Sequence, residues 1–352
     1  MGKVGRTDLF VPPLILGGMA RRESTDAQRI ELFKAAIERG FSTIDTAPLY
    51  GFGRAEQQLG EALKQVPNGN IQVLTKVGLR WHGESHGDVL FEFTDDQGKL
   101  QQVRKDSRPE SIRWEVTQSL ERLHIETLDL VQIHHPDQQV PIAESIGALL
   151  DLQREGKLRH IGVSNFSADQ IRDAQRELGD VPLCSAQPEY SLVRRDAESQ
   201  IIPVCRELNI GVLVYSPLAE GLLAGREIPP SNPSLQKINQ AMEEVLRPIA
   251  RHHHVSEAAV SLSWVISQPG ITAAISGASN VKQLDDQAQV FELELSESEL
   301  AQLTSAFSDA PLPHSWEHTG TGLNGAIRRV RGLLGRALRK AGVDPSILRT
   351  RR

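Results

Sequence analysis

Residues 41–66 read FSTIDTAPLYGFGRAEQQLGEALKQV. The first seven, FSTIDTA, are short, mostly apolar or β-branched, and predict a strand over 41–47. The run GRAEQQLGEALKQV predicts a helix over 53–66. Between them, Asp45 sits where the strand should end, and Tyr50 follows five residues on. A plain surface loop needs neither. One strand, one turn and one helix make a β/α unit, so the fold depends on how often that unit recurs.

It recurs along most of the chain. Upstream, LILGG (14–18) reads as a strand. STDAQRIELFKAAIERG (24–40) reads as a helix, with Ser24 or Thr25 as cap and Gly40 as stop. Downstream, strands are predicted at 71–77, 128–134, 160–165, 184–190, 210–217 and 272–277. Helices are predicted at 110–123, 141–155, 167–178, 198–208, 235–252, 256–268 and 280–290. Near-continuous apolar strands are those of parallel sheets, buried on both faces. Eight such units predict an α/β fold, a (β/α)8 TIM barrel over residues 1–312. GKVGRTDLFVPP would form an N-terminal β-hairpin beneath it. An open doubly wound sheet would want G-x-G-x-x-G after the first strand, where the chain has LGGMARRE.

Two segments stand outside the repeat. Residues 78–107 form a long connection that leaves a strand's C-terminal end, which places it beside the mouth of a barrel. Trp81 in it is expected to wall the substrate pocket, and Phe91 and Phe93 to pack on the rim. Residues 313–352 differ in composition. They hold nine Lys or Arg against two acids, a net +7, which leaves −13 for the rest of a chain whose total is −6. Apolar residues recur there at helical spacing, so a basic amphipathic helix is expected over 323–341. Either its apolar face docks on protein, or it makes reversible contact with an anionic membrane surface or a partner.

The whole-chain balance is that of a globular protein, 39% hydrophobic and 24% charged. A pI near 6.0 points away from nucleic acid. The two cysteines, Cys184 and Cys205, do not form a C-x-x-C motif, and the opening residues lack a signal peptide's apolar region. A cytoplasmic location is the expectation.

In a barrel the catalytic groups sit at the C-terminal ends of strands. Asp45, Lys76 and His134 end or nearly end three consecutive strands, and Tyr50 lies just past the first of them. Taken singly, each has an ordinary structural reading. Together they form a set. A buried lysine needs an acid beside it. A lysinium beside a phenol favours the phenolate, so the pKa of Tyr50 should fall from about 10 toward neutrality. Such a tyrosine can give a proton to a developing alkoxide and take it back. His134 can orient a carbonyl oxygen. The set suits proton transfer coupled to hydride transfer, with no metal.

The motifs IDTAPLYGFGRAEQQLGEAL, LTKV, LDLVQIHHPD, GVSNF, VYSPLAEGLL and ISGASNVKQL resemble those of the aldo-keto reductases in order and spacing. The pattern is similar to bacterial members of the inositol-operon and general-stress type, over about residues 3 to 308. The resemblance implies a (β/α)8 barrel that reduces aldehydes and ketones, or oxidises alcohols, with NADP(H). It implies Asp45, Tyr50, Lys76 and His134 as the catalytic set. It also implies a cofactor site. Ser164, Asn165 and Gln187 would hold the nicotinamide amide, and Tyr215 would stack on its ring. Ser216, Leu218 and Gly221 would begin the loop over the pyrophosphate, SGASN (276–280) with Gly277 would offer backbone N–H groups at a helix start as a phosphate cradle, and Ser279 and Gln283 would stand by the adenosine 2′-phosphate. The family often has arginine where Ser279 and Gln283 stand, which leaves Lys282 as the nearby cation and opens NAD(H) as an alternative.

Other chemistries lack support. No Tyr-x-x-x-Lys or H-E-x-x-H occurs, and GVSNF at the strand end breaks the G-x-S-x-G pattern. His252, His253 and His254 are adjacent, and on a helix they should diverge rather than converge on one ion. The rival class is a cofactor-binding regulatory or scaffold subunit with little turnover, an idea that rests on the basic tail.

Overall fold

The structure is a computed structural model and describes residues 1–19, 24–66, 71–83, 86–95, 98–226 and 233–312. The basic helix expected over 323–341 lies outside the described residues, as does the rest of 313–352.

Strands β1 (Gly2–Lys3) and β2 (Phe10–Val11) pair antiparallel as the expected hairpin. The barrel then begins with β3 (Leu14–Gly17), helix α1 (Asp26–Glu38), β4 (Thr43–Asp45), α2 (Arg54–Gln65) and β5 (Gln72–Val77). The connection after β5 is not a bare loop. It folds into β6 (Leu79–Arg80), β7 (Val89–Thr94) and β8 (Leu100–Lys105), a small antiparallel sheet in the order β6-β8-β7. The cause is legible in VLFEFT, where alternate residues Phe91 and Phe93 turn inward with Leu49, Leu79 and Val103.

Helix α3 (Pro109–Leu123) leads to β9 (Leu128–Ile133), and α4 (Ile142–Arg154) to β10 (Leu158–Ser164). Helix α5 (Ala168–Leu178) leads to β11 (Ser185–Gln187), and α6 (Ile201–Leu208) to β12 (Gly211–Tyr215). Helices α7 (Pro233–Ala241), α8 (Arg247–His253) and α9 (Glu257–Ile266) precede β13 (Ala273–Gly277), which α10 (Val281–Ala288) follows. The helix expected over 235–252 contains a π-helical turn at Met242–Leu246 between α7 and α8. A last helix, α11 (Glu297–Ser308), was not expected. Its signal was present: Ser296 and Glu299 form a reciprocal capping box.

The eight strands β3, β4, β5, β9, β10, β11, β12 and β13 close a parallel barrel, and β13 pairs with β3 through Gly277 and Gly17. Alternate strand residues feed two cores. Ile15, Leu74, Leu130, Leu213 and Ile275 fill the interior with Val4, Leu9 and Val11 of the hairpin. Leu14, Leu16, Val73, Val131 and Val163 face the helices. The hairpin therefore plugs the N-terminal end, and the polar strand ends gather at the other. Among the described residues, no helix is long and apolar enough to cross a membrane.

Candidate active site

Asp45 is the last residue of β4, and Lys76 is the last but one of β5. Register brings them together, since Asp45 pairs with Leu74 and the strands then run on in parallel. Lys76 Nζ donates to Asp45 Oδ1 at 2.5 Å, to Thr46 O at 3.1 Å and to Tyr50 Oη at 3.3 Å. Lys76 and Asp45 are 1% and 2% exposed. Tyr50 closes a turn, its N–H donating to Ala47 O at 3.0 Å, and its ring lies 5.0 Å from Lys76 Nζ; Gly51, Phe52 and Gly53 after it all have positive φ. His134 follows β9 and sets its ring edge-on to Tyr50, centroids 6.0 Å apart. The four expected residues converge.

The electrostatics correct one expectation. Burial pushes the Tyr50 phenol up and Lys76 pulls it down, while the Asp45 charge raises it again; the net direction is up. The phenol is thus held protonated rather than drawn toward neutrality, because desolvation of a phenolate outweighs one lysinium already shared with a carboxylate. For Lys76, burial lowers the pKa, but Asp45 and Tyr50 more than offset it and the net direction is up. Burial, Lys76 and His135 together hold His134 well below its ordinary value, so its ring is neutral.

Asp45 has a second set of partners that the sequence reading missed. Gln187 Nε2 donates to Asp45 Oδ2 at 3.1 Å, and Gln132 Nε2 donates to it at 3.3 Å. Gln132 Oε1 accepts from Ser185 Oγ and Gln187 Nε2. The glycine at 162 leaves room for this, since a Cβ there would meet Gln132 Cγ at 2.9 Å. The signal was a glutamine inside the apolar run LDLVQI.

The residues expected to hold a cofactor occupy the remaining strand ends. Ser164 Oγ donates to Gln187 O, and Asn165 Nδ2 donates to His134 O at 2.9 Å. Asn165 has φ 61 and accepts from Tyr215 Oη at 2.8 Å. Ser216 and Gly221 lie in a turn with repeated positive φ. Leu218 belongs to the same turn and is buried. Gly277 ends β13 and is exposed. Ser279 and Gln283 meet each other: the Ser279 N–H donates to Gln283 Oε1 at 2.8 Å, and Asn280 caps α10.

Around the mouth stands an aromatic stack. Phe52 lies against Phe93 with centroids 4.2 Å apart and against Trp81 at 5.5 Å. Trp81 had been expected there; Phe52 had not, and Phe93 stands with it at the stack rather than on the rim alone. A separate groove of about 670 Å³ lies by α6, lined by Arg195, Glu198, Arg206 and Glu207. It holds none of the strand-end groups, and Arg195 pairs with Glu198 at 2.8 Å. The histidine expectation also needs correcting. Ligating atoms of His252, His253 and Glu299 lie within 4.8 Å of one another, because α11 brings Glu299 to the end of α8; His253 Nε2 is 2.7 Å from Glu299 Oε1.

Residues 13–307 match the model of the aldo/keto reductase family. The NADH-specific methylglyoxal reductase of Escherichia coli (strain K12) is 32% identical over 318 residues, covering 84% of this chain and 94% of that protein. Aldo-keto reductase YhdN of Bacillus subtilis (strain 168) is 31% identical over 291 residues, covering 78% of this chain and 82% of its own. Among solved structures, a glycerol dehydrogenase from Gluconobacter oxydans superposes with a TM-score of 0.76 at 34% identity, covering 89% of this chain and 96% of that one.

Proposed function

This chain belongs to the aldo/keto reductase family, oxidoreductases that reduce carbonyls with a nicotinamide cofactor, and from that premise we propose that Tyr50 is its general acid/base for a small aldehyde or ketone and the corresponding alcohol. The observation that carries this reading is the buried Lys76 ammonium, 2.5 Å from Asp45 and 3.3 Å from the Tyr50 hydroxyl. In reduction, the Tyr50 O–H donates to the carbonyl oxygen as negative charge develops there. The phenolate left behind is stabilised by Lys76, whose charge Asp45 balances. Neutral His134, its ring edge-on to Tyr50, would donate to the same oxygen and orient it. In oxidation the proton returns to Tyr50.

The other strand ends suit a flat ring bearing a carboxamide. Among the described residues nothing donates to Gln187 Oε1, while its Nε2 is held by Asp45 and Gln132. Ser164 and Asn165 flank it, and Tyr215 offers an aromatic face. When bound, the nicotinamide supplies or accepts the hydride. We take NADP(H) as the favoured form with only a modest preference over NAD(H). Ser279 and Gln283 provide no guanidinium, and exposed Lys282 can meet a 2′-phosphate only as a screened point charge. The relatives named for methylglyoxal and glycerol make three-carbon oxygenated compounds the first substrates to try.

The test is oxidation of NADPH and NADH in parallel with reactive aldehydes, for the wild type and Tyr50→Phe. Loss of a positioned acid lowers kcat by about 10²–10⁴-fold. Turnover that survives in Tyr50→Phe would remove Tyr50 from the chemistry. A preference between the two cofactors far above about tenfold would overturn the view of Lys282 as a screened charge.

A further inference from the structure

Three cations are buried among the described residues: Arg29, Lys76 and Arg194. Lys76 faces Asp45, and Arg194 faces Glu189 at 3.7 Å. Arg29, in the first turn of α1 and 1% exposed, faces no carboxylate among the described residues. Its Nη1 donates to Ala278 O at 2.9 Å and its Nη2 to Gly18 O at 3.0 Å. Its Nε has no partner among the described residues, and the Phe33 ring lies 4.9 Å from the guanidinium carbon. Burial lowers its pKa to about 10, so it remains charged at neutral pH. A buried charge with no counter-charge is costly.

Its place in the fold gives that cost a use. Gly18 and Ala278 are the residues just past Gly17 and Gly277, the paired ends of β3 and β13. Both belong to the mouth. A trans peptide carries its C=O and the next N–H on opposite sides. Drawing the two carbonyls toward Arg29 therefore turns the N–H groups of Met19 and Ser279 away from it. Ser279 N–H meets only the neutral side chain of Gln283, which an anion can displace. The N-terminus of α10 begins two residues later and favours negative charge. Gly18 N also donates to Asp45 O at 2.7 Å, so the same link reaches the catalytic strand.

We propose that Arg29 is a buried counter-charge for the diphosphate of a nucleotide bound over residues 277–283. It acts without touching the ligand, through the field it projects in a low-dielectric site and through the two turns it holds. It is a positioning residue. The inference rests on reading these strand ends as a dinucleotide site.

Calorimetric titration of ADP and adenosine into the wild type, Arg29→Met and Arg29→Lys tests it, because only ADP carries phosphate. ADP should bind at least about tenfold more weakly to Arg29→Met, with adenosine little changed and Arg29→Lys recovering most of the loss. Equal weakening of both ligands would make Arg29 a fold residue only, and no change in either would remove it altogether. If Arg29→Met does not fold, the wild type still decides. Inorganic pyrophosphate should raise its melting temperature and compete with ADP, whereas chloride at equal ionic strength should do neither. Absence of that protection overturns the inference. Wild-type protein that binds neither ADP nor NADH nor NADPH sinks this inference and the dinucleotide reading together. NADH or NADPH binding that Arg29→Met leaves intact sinks this inference alone.

Discussion

At Tyr50 two influences oppose each other, and burial wins over the neighbouring ammonium. The phenol stays protonated, which is the form that a reduction with Tyr50 as the acid would consume. The reductive kcat should therefore be level from pH 6 to 9 and fall only above the ordinary phenol value of about 10. Oxidation needs the phenolate, so its kcat should climb throughout that range. His134 is already neutral, so no loss of reductive rate is expected on acidification from pH 7 to about 5.5. Paired pH–rate profiles check all three. A reductive limb that breaks near pH 7 would mean that Lys76 dominates after all. The residues of this set were legible from their types and strand positions. The sign of the shift was not, because it depends on how much water the folded chain removes from one hydroxyl.

The turn at 46–53 and the sheet β6–β8 act as one element at the mouth. Positive φ at Gly51, Phe52 and Gly53 swings the Phe52 ring outward, where Phe93 and Trp81 meet it. A side chain other than glycine at positive φ is uncommon and is held by its surroundings. Trp81→Ala and Phe52→Ala should each raise KM for apolar carbonyls several-fold, on the order of the 0.5–1.5 kcal/mol of an aromatic pair, with little change for three-carbon substrates. Steady-state constants across a graded aldehyde series measure this. A substrate profile identical to wild type would place the stack outside the pocket. The alternation in VLFEFT was present in the sequence. The partnership with Phe52 was not, because it joins two elements about forty residues apart (Phe52 and Phe93).

At the scale of the whole molecule, Glu115 couples stability to pH. It lies fully buried on α3 and accepts from Gly78 N at 3.0 Å, just beyond the Lys76 strand. Burial pushes its carboxyl from 4.5 up to about 8, although the Gly78 N–H and Arg80 pull the other way. A carboxyl raised in the folded state contributes stability that is full below its unfolded value and is lost as pH rises through the folded one. Wild-type stability should thus decline between pH 5 and 9, by an amount on the order of a few kcal/mol. Glu115→Gln keeps an acceptor for Gly78 N–H and removes the ionisation, so it should melt higher than wild type at pH 9 and close to it at pH 5. Melting curves at the two values check this, and an equal decline in both proteins would clear Glu115 of the effect.

By itself the sequence determined the eightfold β/α order, the closed barrel and the four residues at three strand ends. Those depend on local periods and on a rule of the architecture, both readable along the chain. Tertiary structure alone decided what crosses the barrel. Gln132 and Gln187 meet Asp45 across gaps of 87 and 142 residues, and Arg29 reaches Ala278 across 249. Such contacts exist only once β13 closes on β3. Closure also strips water from Tyr50, Glu115 and Arg29, and burial is a property of the closed ring that no local pattern encodes.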